Sequence, residues 1–427
     1  MLPVAINGKP KTMTKRLSPD PNLEELVQQL NTRAASDPDL ESDTETAAPK
    51  NSDVVVRPRW RLGEPSADGH RFLERLLRTA QDAHASDLLL VRGAVPVLRR
   101  NGKLLPSGEE ALTPGQVEKL CAALVPEERR DEVGAHGTAD FSIRNGDAGV
   151  LRCNVHRERG YWAASVRLLP EFPPDFDALN LPPALERLAE LEHGLVLVTG
   201  PTGSGKTTTL AAMVRRILET RRTHLITIED PVEYEHSHRD SVVEHVEIRR
   251  DVESFGAALR SVVRQDPDVL LIGEMRDAES MSIAITAAET GHLVLSTLHT
   301  GDSAQTIHRI LDSYPGIQQD GIRAQLSASL AAIVSQQLIP RADGDGRVPA
   351  LEILVATPAV RNLIRKGRME QVRSQLMLEQ SAGMLDLDRS LVHLVGEKLI
   401  TLDEARFRAR SPEAFQNYMR SLPNIDG

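Results

Sequence analysis

Gly200-Pro201-Thr202-Gly203-Ser204-Gly205-Lys206-Thr207 is the stretch that decides the fold. A glycine, four residues and then Gly-Lys-Thr is the pattern of a phosphate-binding loop, provided a strand precedes it and a helix follows. Residues 195–198 (Leu-Val-Leu-Val) read as a buried parallel strand. Beyond the loop, Leu210, Met213, Val214, Ile217 and Leu218 recur at helical spacing as far as residue 222. Backbone N–H groups of such a turn converge on one point, and the helix dipole adds partial positive charge there. The glycines let the backbone come close to a phosphate that a Cβ would block. Gly200 to Thr207, with Thr208 in the first helical turn, therefore form the expected nucleotide site. Lys206 is placed for the β- and γ-phosphates, and the Thr207 hydroxyl for Mg²⁺.

Residues 184–356 alternate short apolar strands with helices, the mark of a mainly parallel α/β sheet. The expected core strands are 195–198, 224–228, 269–272 and 293–296. Ligands in such sheets sit at the carboxyl ends of the strands, and the chemically suggestive residues gather there. Glu229-Asp230-Pro231-Val232-Glu233 follows the second strand. Glu229 is the expected general base, with Asp230 and Glu233 in support. Glu274 follows the third strand and is placed for the Mg²⁺ side of the site. His299 follows the fourth and suits a γ-phosphate sensor, whereas His292, at the opposite end, reads as structural. Asp266 and Asp268 also lie at the wrong end and read as turn or capping residues.

Composition narrows the function. With 51 Lys and Arg against 61 Asp and Glu, the formal net charge is −10, and aromatics are 3%. Neither favours wrapping nucleic acid, which needs basic contacts and stacking surfaces, so no nucleic-acid partner is expected and DNA translocation is disfavoured. Two cysteines, Cys121 and Cys153, fit a reducing compartment and exclude a four-cysteine zinc site within the chain. No apolar run approaches the roughly 18 residues of a membrane span, and the start lacks a secretory apolar core. A cytoplasmic location is expected, with any membrane role peripheral.

Residues 1–68 read as a disordered extension, basic at Lys9, Lys11, Lys15 and Arg16 and acidic from Asp37 to Asp53. Within it, Asn22 can cap a short helix whose Leu23, Leu26, Val27 and Leu30 make one apolar stripe. Residues 22–30 are thus a candidate docking peptide. Residues 69–170 read as a small α+β domain. Asn101-Gly102 marks a hairpin, and Thr113-Pro114 a helix start. A proline-rich linker spans 171–183, and residues 357–427 read as helical.

In order, residues 200–207, 226–236, 266–277 and 287–300 resemble the phosphate loop, aspartate box, Walker B segment and histidine box of the secretion and type IV pilus motor ATPases. The likeness covers roughly residues 70–420. It implies a RecA-like P-loop ATPase domain preceded by a PAS-like α+β domain, and ATP and Mg²⁺ as cofactors. It also implies a homohexamer working against an inner-membrane pilus platform protein. Ala85-Ser86-Asp87-Leu88 is similar to the signature of the first domain, with Leu89 in place of the usual histidine. By position, Arg152 and Arg167 match the arginines which that domain gives to the γ-phosphate.

Within the family the chain resembles the retraction (twitching motility) branch. Assembly and type II export members usually carry a four-cysteine zinc module after the histidine box, where residues 339–348 have no cysteine. Retraction members carry an Ala-Ile-Arg-Asn-Leu-Ile-Arg-Glu segment. Residues 359–366 read Ala-Val-Arg-Asn-Leu-Ile-Arg-Lys, so Lys366 reverses the last charge. A family Gln-Arg-Glu stretch is here His245-Val246-Glu247, which removes the arginine. Competing readings are pilus assembly, type II export, an accessory retraction paralogue, and a nucleotide-binding regulator without turnover.

Overall fold

The structure, a computed structural model, describes residues 60–145, 149–169, 173–344, 346–379 and 382–421. The candidate docking peptide at 22–30 and the charged stretches around it lie outside the described residues.

The first sheet has six antiparallel strands: β1 (Asp87–Leu90), β2 (Val97–Arg100), β3 (Lys103–Pro106), β4 (Thr138–Arg144), β5 (Val150–Glu158) and β6 (Tyr161–Leu168). Their order is β3-β2-β1-β6-β5-β4. Asn101 and Gly102 both take positive φ, 50° and 79°, as a two-residue hairpin turn requires. Helix α1 (Ala67–Asp82) buries Leu73, Leu76, Leu77 and Ala80. Helix α2 (Pro114–Leu124) starts at a capping box of Thr113 and Gln116, and α3 (Arg130–His136) follows. Alternation along the strands sends Leu88, Leu98, Phe141, Leu151, Cys153 and Val166 into one core with these helices. Residues of opposite parity make a charged row in cross-strand register, Arg99–Asp87–Arg167–Arg152.

The second sheet follows α4 (Pro183–Ala189). It comprises β7 (Gly194–Thr199), β8 (His224–Glu229), β9 (Val242–Glu247), β10 (Val269–Ile272), β11 (Leu293–Leu298), β12 (Leu330–Pro340) and β13 (Arg347–Val355). The order is β13-β12-β7-β11-β10-β8-β9, with only β13 antiparallel to its neighbour. Helices α5 (Lys206–Thr220), α6 (Phe255–Val262), α7 (Ala278–Glu289), α8 (Ser303–Asp312) and α9 (Gly316–Ser329) cover it. β7, β10 and β11 are buried at every position, which is why they read as plain apolar runs.

Three strands differ from expectation, since none was anticipated at β9, β12 or β13. β9 begins exposed-buried-exposed and edges the sheet, so its Glu244 and His245 mask the pattern. β12 and β13 carry Ser335, Gln336 and Glu352 at buried positions. Polar residues argue against a buried strand until their partners are known.

Five helices complete the described chain: α10 (Pro358–Arg365), α11 (Met369–Leu378), α12 (Leu387–Gly396), α13 (Leu402–Arg408) and α14 (Pro412–Ser421). α10 and α11 join the main core through Val360, Ile364, Met369, Val372 and Leu376. α12 packs Leu391 and Val395 beside Ile339, Val348 and Ala350. A buried carboxylate ties these helices back to the sheet. Glu352 on β13 accepts from the Ser303 amide at 2.8 Å and its hydroxyl at 2.7 Å. Arg410, between α13 and α14, donates to the same carboxylate and to the Gly301 carbonyl. Among the described residues no helix is long and apolar enough to cross a membrane.

Removing one member of a buried pair leaves the other charge uncompensated. Arg410→Met is expected to cost about 3 kcal/mol, read as a lower urea midpoint at unchanged slope. A midpoint equal to wild type would show that Glu352 does not depend on Arg410.

Candidate active site

The phosphate loop joins β7 to α5. Gly200 sits at φ 146°, where a Cβ would lie 2.3 Å from the Gln336 carbonyl oxygen. Gly205 is the N-cap of α5, at φ 86°, and no side chain caps the helix. The first amides of α5 therefore face outward without an internal partner. That donor set, with Lys206 beside it, fits a nucleotide phosphate chain. Thr207, half-buried on the first turn, is placed to hold Mg²⁺ by its hydroxyl.

Lys206 is buried. Its Nζ donates to the carbonyls of Gly200 at 2.9 Å and Pro201 at 3.1 Å, and lies 3.4 Å from His299 Nδ1. Burial lowers its pKa, opposed by the nearby Glu274 and Glu233 carboxylates. The other face of His299 meets Glu274, Nε2 to Oε1, at 3.0 Å. Neutral His299 can serve both contacts in one tautomer, accepting from Lys206 on Nδ1 and donating from Nε2 to Glu274. Arg276 Nε donates to the second oxygen of Glu274 at 2.8 Å. Lys206, His299, Glu274 and Arg276 thus form one chain of contacts from three motifs.

Glu229 closes β8 and is 6% exposed. Burial is the main cause that pushes its carboxyl up to about 8. A hydrogen bond from the Thr227 hydroxyl and one from the Glu233 amide oppose the rise, and the Glu233 and Glu247 charges add to it. The backbone seats Glu229 beside the Glu274 segment, for the Gly273 amide donates to the Ile228 carbonyl at 2.8 Å. Such a carboxylate is a base of useful strength near neutrality.

The arginines of the first sheet are placed differently. Arg152 donates to Glu233 Oε1 at 2.9 Å, which brings the two sheets together beside Glu229. Arg167 faces Arg152 across β5 and β6, but its Nε donates to Asp87 Oδ1 at 3.0 Å, within its own sheet. Asp230 holds an exposed contact with Arg249 at 3.5 Å. At the far end of the sheet, Asp268 accepts from the His224 amide at 2.7 Å and the Thr223 hydroxyl at 3.1 Å. Asp266 takes φ 56°, and His292 Nδ1 lies 2.9 Å from the Ala287 carbonyl. These three do structural work away from the loop. Val246, in place of the family arginine, packs on the main core.

Gln336 is the residue that motif reading missed. Its amide nitrogen donates to the Ser204 carbonyl at 2.7 Å, and its oxygen accepts from the Thr209 hydroxyl at 2.8 Å, both buried. It clamps the loop to α5 from β12. No spacing rule marks it, because the contact spans 132 residues. Tyr234, whose hydroxyl lies 3.2 Å from that of Thr208, was missed for the same reason.

Two outcomes follow. Gln336→Leu strands a buried carbonyl and hydroxyl and is expected to weaken nucleotide binding roughly tenfold, read by titration with a fluorescent ATP analogue. Unchanged affinity would relieve Gln336 of this role. For Glu229, the folded chain keeps a proton that the unfolded chain releases near the ordinary value of 4.5. Its contribution to stability is full below that pH and is lost as pH rises through about 8. Stability measured by urea unfolding should fall across this window, and Glu229→Gln should remove that part of the slope. A slope identical in both proteins would contradict the burial.

The comparisons agree with this geometry. The Type II/IV secretion system protein family model matches residues 178–385. The twitching motility protein of Neisseria gonorrhoeae is 40% identical over 339 residues, 79% of this chain and 91% of that protein. The type IV pilus retraction ATPase PilT of Pseudomonas aeruginosa is 40% identical over 343 residues, 80% of this chain and 99% of that one. The crystal structure of the pilus retraction motor PilT with bound ADP superposes with a TM-score of 0.73 and 41% identity, covering 81% of this chain and 98% of that one. With likeness over nearly the whole length of these relatives, and the four motif segments meeting at one sheet edge, the chain belongs to the PilT-like family of secretion and type IV pilus motor ATPases.

Proposed function

We propose that this chain powers type IV pilus retraction, and so twitching motility, by ATP hydrolysis. The carrying observation is its 40% identity to a retraction ATPase over 99% of that protein's length. Two local features support the same branch. β12 and β13 pair as far as Pro340 and Arg347, leaving only residues 341–346 between them at the place where assembly and export members hold their zinc module. Residues 359–366 fall on α10 and its C-cap, with Val360 and Ile364 buried.

In this reading Lys206 and the amides of Gly203 to Thr208 hold the phosphates, and Glu229 takes the proton of the attacking water. Bound Mg²⁺ would neutralise charge developing on the β- and γ-oxygens, held by Thr207 and, through water, by Glu274. His299, between Lys206 and Glu274, senses the γ-phosphate through both neighbours. Arg152 and Arg167 complete the site when the first sheet closes, exchanging Glu233 and Asp87 for phosphate oxygens. The working unit is a homohexamer at the inner face of the cytoplasmic membrane. It acts on the platform protein that holds the pilus base, because closure favoured by ATP selects one of two domain arrangements.

Deleting the gene and counting surface pili tests the task. Accumulated pili with lost twitching are expected, whereas bald cells would make the chain an assembly motor. For the chemistry, Glu229→Gln should keep ATP binding and lose at least about a hundredfold in turnover. Near-wild-type turnover would remove Glu229 as the base.

A further inference from the structure

β8 and β9 run parallel, with Thr227 opposite His245 and Glu229 opposite Glu247. Residues two apart share a face, so Thr227, Glu229 and His245 lie on one side of the sheet. Thr227 is fully buried, which leaves water no access to its hydroxyl. His245 Nδ1 lies 2.9 Å from Thr227 Oγ1. The His236 backbone amide donates to His245 Nε2 at 3.1 Å. The two imidazole rings stack with centroids 5.9 Å apart and planes within 15°, which fixes the ring orientation.

These contacts have one consistent direction. A backbone amide can only donate, so His245 Nε2 must hold a lone pair. The ring proton then sits on Nδ1 and is donated to Thr227 Oγ1. The single hydroxyl hydrogen of Thr227 is thereby left free to turn toward the Glu229 carboxylate, which follows two residues on along β8 and shares its face. With the opposite tautomer Thr227 would donate to His245, and Glu229 would face an oxygen lone pair. We propose that His245 is a positioning residue for the general base: its tautomer, set by the His236 amide, turns the Thr227 hydroxyl proton onto Glu229. The inference rests on Glu229 being the base.

Burial keeps both rings neutral: it lowers the pKa of His245, and together with the neighbouring His245 it pushes that of His236 down to about 3. Protonating His245 on Nε2 would set N–H against N–H and break the chain at its first link. The titratable groups facing Glu229 are Glu233 and Glu247, and those facing His245 are His236, His238 and Glu235. The departure at His245 from the family's glutamine preserves the chemistry, since both side chains offer one acceptor and one donor.

The test uses the full chain with Mg·ATP, measuring kcat and KM from pH 6 to 9.5. His245→Leu and Thr227→Val should each lower kcat about tenfold with KM little changed. Each should also raise the acid limb of kcat/KM by about one pH unit, because the carboxylate loses a donor. The double variant should be no worse than the poorer single one, as expected for links of one chain. His245→Gln should restore kcat to within a few-fold of wild type. Folded single variants with wild-type kcat and an unmoved acid limb would overturn the proposal, as would multiplying losses in the double variant. Glu229→Gln separates the two readings. If it retains turnover, the base assignment itself fails; if it abolishes turnover while the other variants are silent, only the relay fails. Nitrogen-15 histidine spectra of the wild-type chain give a readout independent of any variant's folding. A protonated Nδ1 on His245 supports the relay, and a protonated Nε2 refutes it.

Discussion

Backbone hydrogen bonds at the carboxyl edge of the parallel sheet hold the whole site together. The Gly273 amide donates to Ile228 at 2.8 Å, the Met275 amide donates to Thr297 at 3.3 Å, and the Gly200 amide donates to Leu298 at 3.3 Å. Through these bonds the residues just past β8, β10, β11 and β7 lie side by side, although the chain separates them widely. A one-step register slip would send alternate residues to the other face. Glu229, Glu274, His299 and Lys206 therefore converge because their strands are paired, and the apolar interiors of those strands enforce the pairing.

The convergence brings opposed electrostatic demands. Burial lifts the Glu229 carboxyl and depresses Lys206, so both groups lean toward their neutral forms. Glu274 is held between His299 Nε2 and an ion pair with Arg276, which gives the carboxylates different surroundings over a short distance. One is buried, with its pKa raised toward neutrality, and the other is engaged by two neighbouring side chains. A hydrolytic site needs that division, since the group that takes the water's proton cannot also be locked in an ion pair.

What the amino-acid order reveals depends on how local the cause is. The phosphate loop, the Asn101-Gly102 turn and the Thr113 cap are visible because a turn or helix end needs particular residues next to one another. β7, β10 and β11 are visible because burial on both faces leaves an unbroken apolar run. Gln336 and Glu352 were illegible, and they obscured β12 and β13, because their partners lie far along the chain at Ser204 and Thr209, and at Ser303 and Arg410. Arg152 was legible only through family likeness. Nothing beside it in the chain announces that Glu233 receives it from the other sheet.

The α10 segment shows how a family motif divides its work between fold and surface. Arg361 turns inward, donating to the carbonyls of Ala356 at 2.8 Å and Ser327 at 2.9 Å, and also to that of Ala328. It thereby satisfies the carbonyls left open where α9 ends. Val360 and Ile364 fill the main core. Asn362, Arg365 and Lys366 remain exposed. The Ala-Val-Arg-x-x-Ile half of the segment is therefore explained by packing and capping alone, and any role in handing force to another component must rest on the exposed positions. Lys366 is one of these, so its reversed charge leaves the fold untouched and alters the surface that a partner would meet.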